Sequence, residues 1–381
     1  MARGPVAFAR LAWVLGAFAV YSLARVWISH EVPWRRAFDD FFFIPETIRW
    51  LRGGHLGEDA TFARVPLWHL MLGAHYALFR NHALPVLQGW IVLASIAVYA
   101  AWVGPRAARV RWLPLFVFLL SPQILLYSRQ TVNELWIGLL TMAVMLLGER
   151  RGARAALPMG VLVGLAACTK PVAGLTGLVA AGYALRDRSP RAPALARLAL
   201  GVAFAALPLL GYAVWLRGDL LVDNTTAFNL SGMSVDAWRA LPDAAARQAE
   251  GMARFRDAFS ADPLGYVAGA GGRAVDWLVR PSSLDFRTFY RGYPIAWVGA
   301  ADTAAFAILA LLALVGTTRR DAFVWLLVAG WTAACAFPLF TPRSPKVVLL
   351  FPLLLLAERG VARIAARRPD TMRAIPEKEL A

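Results

Sequence analysis

Apolar residues along this chain gather in long runs divided by short, arginine-rich loops, with little of the alternation expected of strands. The runs fall at 6–28, 84–103, 112–127, 132–147, 157–169, 171–185, 195–215, 296–316, 322–340 and 345–362. Most approach the ~20 residues that a helix needs to cross a hydrocarbon core. The pattern predicts an all-α polytopic membrane protein with about ten transmembrane helices and two extracytoplasmic loop regions. The first run, Val6–Ile28, is too long for a signal peptide and shows no evident small-residue cleavage site, so it is read as a retained span. The expected organisation is a first helix (1–29), a loop with juxtamembrane helices (30–83), helices two to seven (84–216), a second loop (217–295), three final helices (296–364) and a tail (365–381).

Composition supports the membrane reading, since 59% of the 381 residues are hydrophobic and only 17% are charged. The formal net charge of +16 would suit a nucleic-acid binder if it were clustered on one polar face. Instead it lies mostly in short loops between spans, the distribution that orients helices in a bilayer. Nucleic acid is therefore not an expected partner. Pro66–Phe79 decides the topology. With only 14 residues it is short for a span, and placing it at the outer interface puts every short basic loop on the cytoplasmic side. Those loops carry Arg106, Arg109 and Arg111, then Arg150, Arg151 and Arg154, then Arg186, Arg188, Arg191 and Arg197, and finally Arg319 and Arg320. The expectation is a multi-pass protein of the plasma (inner) membrane with both termini cytoplasmic. Cys168 and Cys335 each lie within an apolar run and offer neither a disulfide framework nor metal-ligand spacing.

Ionisable chemistry concentrates in the loops predicted to face outward. The first holds Asp39 and Asp40 at the membrane edge, then Glu58 and Asp59, then an Arg64-x-Pro66-Leu67 step into an apolar helix. An aspartate near low dielectric can hold a raised pKa and act as a general base; the same pair can instead cap the helix that follows. All five histidines, His30, His55, His69, His75 and His82, fall within or beside this loop. A divalent metal there is an open alternative, although HExxH and HxxxH spacings are absent. Of the forty basic residues only Lys170, Lys346 and Lys378 are lysine, and the first two sit in predicted outward breaks. Arg129 and Glu134 form a further outward cluster, and Arg343 accompanies Lys346. An ammonium at the bilayer edge costs free energy unless it pairs or snorkels, so each cation suits either an anionic ligand or the headgroup layer. The second predicted loop is expected to hold a helical piece over Asp243–Phe259, and its segment Arg280–Pro294, with Tyr290, mixes aromatics and arginines as an interfacial loop does. Walker A, GxSxG and DxD patterns are missing, which argues against an ATP-driven pump.

Taken in order, IPETIRWLRGGHL after the acidic pair, RVPLWHLMLGAHYALF, SPQILLYSRQTVNE, GLAACTKPVAGL and PRSPKVVLLFPLLLL resemble the GT-C superfamily of integral-membrane glycosyltransferases. The likeness is to the ArnT-like and protein-mannosyltransferase-like branch, which uses polyprenyl-phosphate sugars. The resemblance implies a GT-C-type bundle in which an aspartate of the first loop, Asp40 or Asp39, deprotonates an acceptor hydroxyl. The sugar then transfers with inversion. Lys170, Arg129, Arg343 and Lys346 match places where basic residues hold the donor phosphate. Glu58 and Asp59, with Arg64, His69, Glu134 and Tyr290, match acceptor- or sugar-binding places. The implied partners are a polyprenyl-phosphate-linked sugar, a lipid, glycan or protein acceptor, and membrane lipids; no cofactor is required. An Asp-Asp pair where some relatives carry Asp-Glu, and a span count below that of larger relatives, leave the acceptor open. A transporter or flippase of a lipid-linked saccharide is the competing class, and it would want charged residues in mid-span, where these runs are almost wholly Ala, Leu, Val and Gly.

Overall fold

The computed structural model describes residues 4–31, 47–48, 67–104, 108–129, 132–186, 190–217, 225–279, 296–337 and 346–366. Among them every regular element is helical. In chain order the first α-helices are α1 (Gly4–Glu31), α2 (Leu67–Phe79), α3 (Ala83–Val103), α4 (Leu113–Leu119), α5 (Pro122–Tyr127), α6 (Glu134–Arg151), α7 (Ala156–Ala167), α8 (Thr176–Leu185) and α9 (Arg191–Arg217). There follow α10 (Thr225–Ser231), α11 (Val235–Arg239), α12 (Ala244–Ala261), α13 (Pro263–Val279), α14 (Ala296–Gly316), α15 (Ala322–Ala336) and α16 (Val347–Ala366). Four stretches are long and apolar enough to cross a membrane: Phe8–His30 of α1, all of α3, Arg191–Tyr212 of α9 and Trp297–Gly316 of α14. The other predicted spans correspond to helices that are shorter or, for α6 and α16, carry more charged residues.

Local chemistry sets where the helices stop. Gly104 ends α3 at φ +83, a conformation that an L side chain would strain. The predicted single span over 112–127 divides into α4 and α5, because Pro122 has no N–H to continue the helical ladder. Lys170 is extended, at φ −158 and ψ 123, as the residue before a proline prefers, and this separates α7 from the turn leading into α8. Thr318 and Asp321 form a reciprocal capping box that opens α15 through a short 3-10 turn. Asp243 caps α12 by accepting the Ala246 N–H at 2.7 Å, so the helix expected from Asp243 to Phe259 is present.

Glycines let two helix pairs approach backbone to backbone. Gly160 and Gly164 of α7 face Leu198 and Val202 of α9, and a Cβ added at Gly164 would lie 2.7 Å from the Val202 carbonyl oxygen. Gly201 of α9 meets the Leu157 carbonyl in return. Gly316 of α14 and Gly360 of α16 make the same kind of contact, against the carbonyls of Leu356 and Leu312. In lipid, where burying apolar surface does not by itself drive helices together, such close approach supplies much of the attraction.

The centre of the bundle is α16, buried continuously from Val347 to Ala357 and in contact with α14, α6, α4 and α3. A helix that is apolar all round is suited to such a place. Its Phe351 ring meets Phe118 edge-on, 4.9 Å between centroids, in a slot left open by Gly138. In the second predicted loop, α10 to α12 enclose a small core of Phe228, Met233 and Trp238. Beyond it, α13 is fastened to the end of α15: Tyr266 donates its hydroxyl to the Phe337 carbonyl and Arg273 Nε donates to the Ala336 carbonyl, both at 2.7 Å. Leu264, Val267, Val275 and Leu278 of α13 stay exposed.

Candidate functional site

Side-chain contacts define two ends of the bundle. At one end Trp13 stacks on Trp112 at 5.1 Å, and Trp102 Nε1 donates to Glu358 at 3.0 Å. This is the end where the loop arginines gather. The opposite end is where the sequence places its outward chemistry, and several chain breaks meet there. Arg25, near the end of α1, donates from Nη2 to the Ser128 carbonyl at 3.1 Å. Gln88 of α3 donates to the Val132 carbonyl at 2.9 Å, and Asn133 donates to the Thr169 carbonyl at 3.2 Å. These amides satisfy the carbonyls of Val132, just before α6, and Thr169, just after α7, as buried backbone requires.

Within that setting Lys170 reaches across to Glu134 at the first turn of α6, with Nζ 2.9 Å from Oε1. Glu134 is buried and Lys170 is partly open, their side chains 4% and 29% exposed. The second carboxylate oxygen, Oε2, is buried and accepts no hydrogen bond from the described residues. A carboxylate oxygen in that position can accept a hydrogen bond from a hydroxyl or water, and such bonds to charged groups contribute about 1.5–3 kcal/mol. The arrangement is thus an ammonium at the rim with a carboxylate acceptor behind it. Arg129, half-buried, follows Ser128 directly at the same end.

Lys346 occupies a different surrounding. It is only 4% exposed, donates from Nζ to the Leu278 carbonyl at 2.8 Å and stands 5.5 Å from the centre of the Phe306 ring. Nearby, buried Asp302 accepts from Gln123 Nε2 at 2.9 Å. Contrary to a rim cation waiting for a ligand, Lys346 ties the start of α16 to the end of α13. His69 is likewise inside, 2% exposed on α2, with Nδ1 3.3 Å from the Thr47 hydroxyl. Asp39, Asp40, Glu58, Asp59, Arg64, Tyr290 and Arg343 lie outside the described residues. Of the expected site residues the structure therefore brings Lys170 and Glu134 into contact, sets Arg129 at the same end, and buries Lys346 and His69. Among the described residues no three His, Cys, Asp or Glu side chains gather in a metal-binding group.

Sequence reasoning passed over three polar contributors. Asp302 is the sole charge in the apolar run 296–316, and Arg25 is one of two in 6–28, with Arg10; that isolation was the available signal. Gln88 carries no such mark. At the arginine-rich end a network was also missed. Arg359 bridges Asp321 and Glu149 at 2.8 Å each, and Arg186 reaches Glu149 at 2.8 Å. Glu358, one residue before, pairs with Arg111.

Compared with known protein families, curated proteins and solved structures, the chain matches none of them. The class that its fold defines is a protein whose regular elements, among the described residues, are all helices, four of them long and apolar enough to cross a membrane.

Proposed function

We propose that the protein is a polytopic membrane glycosyltransferase of the GT-C kind, with ten spans and both termini cytoplasmic. It moves a sugar from a polyprenyl-phosphate donor to an acceptor hydroxyl on the extracytoplasmic face, with inversion. Asp40 or Asp39 takes the proton of the attacking hydroxyl as its oxygen bonds to the anomeric carbon and the bond to the phosphate breaks. Fixed cations stabilise the negative charge that develops on the departing phosphate, and in a water-poor site they act strongly. Lys170 and Arg129 occupy the end of the bundle where that phosphate would lie. The observation that carries the proposal is the Glu134–Lys170 pair, a rim ammonium with a buried carboxylate oxygen left to accept a hydrogen bond from a hydroxyl.

A transporter of the same lipid-linked saccharide is the second reading. Against it, the pairs of Arg111, Glu149, Arg186, Arg359 and Glu358 lie at one end of the bundle, with Arg25, Glu134 and Lys170 at the other. The test is transfer of radiolabelled hexose from polyprenyl phosphate by the purified protein in nanodiscs with a membrane lipid extract. Label should move to a new product with the wild type and not with Asp39→Asn/Asp40→Asn, which should still insert and fold. Donor bound but never consumed, across several sugars and acceptors, would move the assignment to a transporter.

A further inference from the structure

The arginine-rich end holds a cavity of about 420 Å3 between the ends of α6, α8, α14 and α16. Its wall includes Glu149, Arg186, Arg319, Arg320, Asp321 and Arg359, with Arg363 closing one side. Five guanidiniums thus face two carboxylates, a surplus of three positive charges. Both carboxylates are already committed. Asp321 accepts from Arg359 Nη1, and Glu149 meets Arg359 Nη2 and Arg186 Nη1, each at 2.8 Å. Arg359 is held further by Trp102, whose ring centre lies 4.6 Å from its guanidinium carbon. Arg363 spends one nitrogen on the carbonyls of Val315 and Thr317, at 2.6 and 2.9 Å. Arg319 and Arg320 are exposed and make no ion pair with the described residues.

The wall is therefore a paired frame, Arg359 with its two carboxylates, carrying an exposed pair of cations at its mouth. We propose that this cavity binds a phosphate group of an anionic ligand, with Arg319 and Arg320 making the variable contacts and Arg363 the fixed one. Guanidinium forks match phosphate oxygens two at a time, and the surplus charge favours an anion over a neutral sugar. The volume exceeds that of inorganic phosphate alone, so the phosphate would come with a headgroup. Basic cavities between membrane helices at this side are where anionic lipid headgroups are bound. A soluble phosphate compound offers the same chemistry. The proposal does not depend on the transferase reading.

The experiment uses the full chain in phosphatidylcholine nanodiscs, read by thermal unfolding. One arm adds phosphatidylglycerol or cardiolipin to the disc; the other adds inorganic pyrophosphate to the buffer. Wild type should gain stability in one arm, and Arg319→Ala/Arg320→Ala should need about tenfold more of that ligand for the same gain. The two side chains are exposed, so this variant should melt like the wild type when ligand is absent. The control is Arg191→Ala/Arg197→Ala, which removes equal charge from the same end but away from the cavity, and it should respond as the wild type does. A response in the lipid arm names a headgroup, and one in the pyrophosphate arm names a soluble phosphate. Equal loss in both double variants, or no response in either arm, overturns the site.

Discussion

Replacing Lys170 by alanine tests two roles at once, and the Glu134 contact allows them to be separated. Truncation leaves a carboxylate that is 4% exposed without its ammonium. Breaking a fully buried pair in this way costs about 3–5 kcal/mol, because the remaining charge is stranded in low dielectric. Lys170 keeps 29% of its side-chain surface, so water can replace part of what is lost. A destabilisation of about 2 kcal/mol follows, roughly a thirtyfold fall in the folded-to-unfolded ratio. Glu134→Gln in the same chain removes the stranded charge while keeping the shape, and should bring stability back to within about 1 kcal/mol of the wild type. The assay is the two-variant cycle by unfolding in bicelles, followed by binding of a polyprenyl-phosphate hexose to each protein that folds. If Lys170 holds the donor phosphate, the refolded Lys170→Ala/Glu134→Gln protein should still bind donor about tenfold or more weakly, the worth of one charge-assisted bond. Wild-type stability in Lys170→Ala alone would refute the buried pair. Wild-type donor affinity in the stabilised double variant would refute the phosphate contact.

Three further outcomes are expected. Gly164→Val drives side-chain carbon onto the Val202 carbonyl and should separate α7 from α9, at about 1–3 kcal/mol measured by unfolding, whereas Gly164→Ala should cost less. Arg359→Ala strands Asp321, which is 2% exposed, and should lower stability by about 3 kcal/mol or more, with Asp321→Asn recovering most of it in the same background. Gln123→Leu removes the donor that buried Asp302 accepts and should destabilise by about 1–3 kcal/mol; an unchanged melting temperature would show that Asp302 does not need it.

Where helices lie was legible because hydrophobic runs are local. The expected 84–103 and 296–316 agree closely with Ala83–Val103 and Ala296–Gly316, and the helix expected from Asp243 begins one residue later, capped by that residue. The span drawn over 112–127 was less successful, since its run of apolar residues outweighed the Ser121–Pro122 step in the middle. Contacts were legible only where a residue's own neighbours betrayed it. Lys170 stood out as a rare lysine before a proline, yet its counter-ion lies 36 positions earlier. Glu134 had been matched to acceptor binding without that partner in view. The Arg111–Glu358 pair, 247 positions apart, has no local trace at all. Lys346 shows the same limit from the other side, because a charge at a predicted helix end reads as exposed unless the packing of α13 against it is known.

The enclosed position of α16 has a consequence for how the protein is made. Translation delivers α3, α4, α6 and α14 before it, yet these are the helices that surround it. Although α3 touches α6 and α4 touches α14 directly, the space between these pairs stays unfilled until the segment from Val347 onward leaves the ribosome, and the slot at Gly138 has no ring to fill it. Filling of the bundle's centre therefore waits on the last helix to be made. The α7–α9 pair, joined through Gly160, Gly164 and Gly201, is complete without α16 and can form while the chain is still being synthesised.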